Sequence, residues 1–122
     1  DQKLQKHNLF PAASVGASGI ETLFLMTLEL VHKKIIDLNK AISLLTINPA
    51  NVLKMKKPSL EKDGIADFII FDENCPNVIH QNNLKTSPTP FDRRKIKGKI
   101  LATFINGQLA HINQILKDKI IK

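Results

Sequence analysis

Apolar and polar residues alternate along this chain with two different periods, and the change between them divides it. From Val15 to Leu30 the sequence reads VGASGIETLFLMTLEL, a small-residue turn running into a helix. Ile20, Leu23, Phe24, Met26, Leu28, Leu30 and Val31 cover most of the circumference of that helix, which is expected from Ile20 to Lys34 and buried between neighbours. Ser18 and Glu21 stand at the S-x-x-E spacing of a capping box at its start. Asp37 is the expected cap of a second helix, Leu38 to Thr46, with Ala41, Ile42, Leu44 and Leu45 on its inner side. Asn48-Pro49 then restarts the chain, Asn as cap and Pro at the first helical position, with Ala50, Val52 and Leu53 pointing inward.

Residues 54–64, KMKKPSLEKDG, are polar and close the helical part. Beyond them the period shortens. Residues 66–72, ADFIIFD, read as a strand with an apolar centre. Asn74, Pro76 and Asn77 suggest a turn, Val78 to His80 a short edge strand, and 81–95 an extended loop containing Pro88 and Pro90. Ile100 to Ile105 and Gln108 to Ile112 are strands joined by Asn106-Gly107, the strongest hairpin signal present. Ile112, Ile115, Leu116 and Ile120 stand at helical spacing, so the tail, 113–122, suggests a short amphipathic helix. Such strands are too few to close a sheet, and the helices have no sheet of their own to lie on. The chain reads as the end of a larger protein.

Composition narrows the class of partner. The 122 residues suit one domain at most, and the longest apolar run is far short of a membrane span. The opening DQKLQKHN lacks the apolar segment of a secretory leader. Cys75 is the single cysteine, so no internal disulfide can form and a reducing, cytoplasmic setting is expected. The formal charge is +7, yet only Arg93 and Arg94 among the 18 basic residues are arginine, and no aromatic residue interleaves with the scattered lysines. That pattern argues against nucleic-acid binding and against a small basic binding module.

Individual polar residues mostly have plain readings. A gly-rich turn leading into a buried helix can hold a ligand against backbone amides, and it can equally be a tight core connection. His7 reads as a solvated loop residue, and His32 as a capping or solvated side chain. His80 and His111 have no partner at metal-ligand spacing. Asp67 and Asp72 flank a strand and fit turn formation better than an acid pair. Arg93 and Arg94 are expected in solvent, and Cys75 beside Pro76 in a loop.

The order of short motifs carries more. G-A-S-G-I-E-T (16–22), L-E-L-V-H (28–32), T-I-N-P-A-N-V-L (46–53), G-I-A-D-F-I-I-F-D (64–72), S-P-T-P-F-D (87–92) and I-K-G-K-I-L-A-T-F-I-N-G (96–107) follow one another as in the C-terminal third of bacterial dihydroorotases. The chain resembles these cyclic amidohydrolases from about residue 10 to 111. The resemblance implies an α/β fold, with the last helices of a metal-dependent (β/α)₈ barrel and the C-terminal strands of a small β-subdomain. Residues 1–55 would end the barrel, with helices 20–34 and 38–54; 56–112 would supply the subdomain strands, and 113–122 a tail.

It also implies reversible cyclisation of N-carbamoyl-aspartate to dihydroorotate in pyrimidine synthesis, with one or two zinc ions generating the attacking hydroxide. The family's zinc ligands and its Asp-His-x-Pro-His segment belong upstream of residue 1, so neither catalytic residues nor metal ligands are expected within these 122. Asp1, followed by Gln2-Lys3, does not match that motif's Asp. The loop after the eighth barrel strand, where family members hold substrate through an A-P-x-G segment, matches Ala13-Ser14-Val15-Gly16, with Ser14 where Pro is usual. The backbone amides of Val15 and Gly16 are the implied substrate contacts, and a plain tight turn is the competing reading. Implied partners are the N-terminal remainder of the enzyme, a small-molecule substrate, further copies in a homo-oligomer, and aspartate carbamoyltransferase. The alternatives are a non-catalytic dihydroorotase-like scaffold for that transferase, or a sibling enzyme such as dihydropyrimidinase or allantoinase.

Overall fold

The structure, a computed structural model, describes residues 16–55, 59–62, 64–85 and 89–120. Its centre is a three-stranded antiparallel sheet in the order β1 (Phe68–Val78), β2 (Lys95–Ile105), β3 (Gln108–Ile112). The hairpin between β2 and β3 forms at Asn106-Gly107 as expected, both residues taking positive φ, +50° and +74°. Asn and Gly are the residues that tolerate such a turn. Its tip is fastened to the approach of β1: Asn106 N–H donates to Asp67 Oδ1 at 2.6 Å and Gly107 N–H to the Ala66 carbonyl at 3.0 Å.

Both long strands extend beyond the expected bounds. β2 begins at Lys95 instead of Ile100, because Lys95-Ile96-Lys97-Gly98 alternates like a half-buried strand, Ile96 and Gly98 being buried and both lysines exposed. β1 runs through the expected turn at 74–77. Asp72 Oδ1 accepts from the N–H groups of Asn74 (2.9 Å) and Cys75 (3.1 Å), which gathers the extra residues into a bulge. Pairing shifts there from Asp72 with Lys99 to Pro76 with Lys97, and then continues to Val78. Pro76 is tolerated because bulges and outer strands need no N–H at every position.

Helix α1 (Leu23–His32) lies against β2. The contact is close because Gly98 has no side chain: a Cβ there would stand 2.6 Å from Leu28 Cδ1. Phe24 meets Phe71 edge to face at 5.0 Å, and Phe68 stacks on Phe104 at 4.6 Å. Leu28, Ala41, Ile79, Ile96 and Ala102 are the buried apolar residues of the described part. Helix α2 (Leu38–Leu45) packs on α1 and on α3 (Ile47–Val52), and α4 (Gln114–Ile120) touches β2.

Three helical expectations need correction. Helix α1 starts at Leu23 with Thr22 as its cap, so Ser18 is not the cap of a box with Glu21. The residues before it are held in a turn, Thr22 N–H and Oγ1–H both donating to the Gly19 carbonyl at 3.1 Å. Helix α3 starts at Ile47 after Thr46, not at Pro49; with Thr46 N–H bonded to Ser43 O and Ala50 N–H to Thr46 O, the chain turns over before Asn48. Third, Val52 and Leu53 do not point inward among the described residues. Leu28 is 1% exposed, but Ile20 is 76% and Val52 82% exposed, and Leu53 is exposed as well.

Candidate functional site

The resemblance placed ligand contact at Val15 and Gly16. Val15 lies outside the described residues, as do Asp1, His7 and Ser14. Gly16 has φ +83°, a left-handed conformation that a side chain would strain, and a Cβ built there or on Gly19 meets nothing within 4 Å. Backbone at such a position can be approached closely by a ligand. The turn ends in Thr22, which is 1% exposed with its hydroxyl committed to Gly19.

Across from this turn lies the segment that leaves β1 and returns to β2. Its neck is closed by Ile79 N–H to Arg94 O (3.0 Å) and Arg93 N–H to Ile79 O (2.7 Å), Ile79 being buried. Gln81 N–H donates to Asp92 Oδ1 at 2.7 Å, and Thr89 Oγ1, in a buried residue, accepts from Phe91 N–H at 3.3 Å. Two side chains from the α1 region fasten this loop. Glu21 Oε1 accepts from the Lys85 N–H at 3.1 Å. Eight residues on, Glu29 Oε1 lies 2.7 Å from the Arg94 guanidinium and 2.8 Å from Lys33 Nζ. The hydrogen bond from Arg94, and then that from Lys33, lower the Glu29 pKa from 4.5 to about 2.

The remaining candidates are dispersed. Asp67 and Asp72 accept backbone N–H groups in turns, as expected. His80 follows β1 and is exposed, whereas His111 is in β3, opposite Thr103. Arg93 and Arg94 are both exposed, as expected, and Arg94 is in addition paired with Glu29. An open groove of about 840 Å³ between the end of α1 and β1–β2 is lined by Glu29, His32, Asn77, His80 and Asn83 among others. His32 Nε2 is buried with no hydrogen-bond partner among the described residues. No group of three or more His, Cys, Asp and Glu among the described residues could hold a metal ion, so these residues do not fit one.

Sequence reasoning missed both fastenings. Glu29 and Lys33 stand at helical i, i+4 spacing and signal an ion pair, but nothing local points to Arg94, 65 residues away. Glu21 was accounted for by capping, which hid its role across the fold.

Residues 12–110 match the Amidohydrolase family, and the chain belongs to it. Among individual proteins it is similar to the dihydroorotases of Ehrlichia chaffeensis, 33% identical over 106 residues, and Aquifex aeolicus, 34% identical over 101. These matches take in 85% and 81% of this chain and 24% of each relative, so the chain spans about a quarter of their length. In structure it resembles part of a D-hydantoinase and of the L-hydantoinase (dihydropyrimidinase) of Arthrobacter aurescens. Both have a TM-score of 0.75 and 24% identity, covering 88% and 83% of this chain and 24% of each of theirs. That agreement establishes the mixed α/β fold with its small antiparallel sheet.

Proposed function

We propose that this chain is the C-terminal part of a dihydroorotase, which interconverts dihydroorotate and N-carbamoyl-L-aspartate. In the hydrolytic direction water adds across one ring amide, the C–N bond breaks, and the nitrogen leaves with a proton as the open carbamoyl-aspartate. The observation that carries this reading is similarity to proteins of that name at 30% identity or more, running through most of the chain.

On this reading the helices belong to the end of a (β/α)₈ barrel and the strands to its accessory β-subdomain. Ligands on barrels lie where loops follow the strands, which suits the open left-handed turn at Gly16. The Gly16 amide, with that of Val15, would bind a substrate oxygen by a main-chain hydrogen bond, orienting the ring without acting on a proton. Zinc, when bound, supplies a nucleophilic hydroxide and polarises the carbonyl, and it would be held by residues other than those described.

The test uses the protein as its gene encodes it, loaded with zinc and given dihydroorotate, dihydrouracil, hydantoin and allantoin separately. Turnover of dihydroorotate well above the other three is expected. Preference for another ring would move the protein to a sibling activity. No turnover of any of them, with co-purification of aspartate carbamoyltransferase, would replace the enzyme by a scaffold.

A further inference from the structure

The turn at 16–22 contains two glycines, Gly16 and Gly19, at which a Cβ would meet nothing within 4 Å, and Ile20 is 76% exposed. Its C-terminal half is held by Thr22, tied twice to Gly19, and by Glu21, which reaches out to a backbone amide 64 residues later in sequence. Lys85 is itself part of the loop whose neck is closed at Ile79 with Arg93 and Arg94, so Glu21 grips something already anchored to the sheet. Arg94 holds the same loop at Glu29, eight residues further on and within α1. The two fastenings therefore do different things. The Glu29 grip secures loop to helix, whereas the Glu21 grip secures loop to turn.

We propose that Glu21 is a positioning residue: by accepting the Lys85 N–H it holds the Gly16 turn in the shape that presents its backbone to substrate. This deepens the dihydroorotase reading and rests on it. The grip needs an oxygen acceptor at that place, not a negative charge, so an amide can substitute. Glu21 touches no reacting atom, and its loss alters how well the turn receives substrate, leaving the chemical step alone.

The experiment compares E21A, E21Q and R94A in the protein as its gene encodes it, reading steady-state kinetics with dihydroorotate, thermal midpoint and amide hydrogen exchange. E21A is expected to raise KM about tenfold with kcat within about twofold, the signature of lost binding shared by ground and transition states. E21Q should restore KM, and R94A should lower the thermal midpoint without moving KM. An unchanged KM in E21A, equal defects in E21A and E21Q, or an equal rise in KM in R94A would each overturn the assignment. Hydrogen exchange separates this from the reading beneath it. If the unsubstituted protein does not turn over dihydroorotate, the activity is wrong, yet E21A must still speed exchange at Lys85 and at residues 16–20 together. Faster exchange at Lys85 alone refutes the positioning role.

Discussion

Gly98 and Leu28 share the few ångströms where α1 crosses β2, and the space admits no third carbon. Leu28 is fully buried, so its methyl cannot swing aside, and Gly98 has φ +121°, which L side chains rarely adopt. Overpacking and backbone strain each cost roughly 1–3 kcal/mol. Gly98→Ala is therefore expected to lose about 3 kcal/mol of stability in urea unfolding of the intact protein; a loss under about 1 kcal/mol would mean that α1 does not sit this close to the strand. Glu29 makes a prediction of opposite origin, from charge. Its folded-state pKa of about 2 lies below the ordinary 4.5, so on acidification the unfolded chain takes up the proton first. The ion pair's contribution is complete above pH 4.5 and is lost as pH falls toward 2. Thermal midpoints across that interval should fall less steeply in E29Q than in the parent, and parallel curves would show that the pair with Arg94 contributes nothing to folding.

At the scale of elements, local chemistry explains the Asp37 cap and the hairpin better than the bounds of the strands. Asp37 caps α2 by accepting the Lys40 N–H at 2.8 Å, as its place before an apolar stripe indicates. Asp37→Ala should cost about 1 kcal/mol and Asp37→Ser much less; equal losses, read by thermal denaturation, would show that the cap is not what matters there. The Asn106-Gly107 hairpin was equally legible, since two consecutive positive φ values are what that dipeptide accommodates. The bulge in β1 was not. Asn74, Pro76 and Asn77 have turn chemistry, and whether such residues reverse a chain or merely kink it depends on a partner strand still running alongside. Lys95 to Lys99 hid the start of β2 for the converse reason, because charges on alternate positions look like loop until the face opposite them is seen to be filled by α1.

Taken as a whole, the described part holds few buried apolar residues for its size, and large side chains on several elements face outward: Ile20, Ile35, Val52, Leu53 and Leu60. Isolated exposed apolar residues are ordinary, but many together mark surface that normally meets protein. Prepared alone, the 122-residue polypeptide is expected to bind a hydrophobic dye and to self-associate, both effects disappearing in the protein as its gene encodes it. A monomeric, dye-silent polypeptide in sedimentation and fluorescence measurements would show that these faces need no cover. The amino-acid order by itself determined the helix-then-strand division, the Asp37 cap, the hairpin and the family pattern, because each is written in neighbours a few residues apart. Tertiary structure alone decided which loop Glu21 grips, where Arg94 spends its charge, and how near α1 comes to β2. Those contacts join residues some 64 to 70 positions apart, and no local period records which of many acids, amides or glycines will meet once the chain has folded.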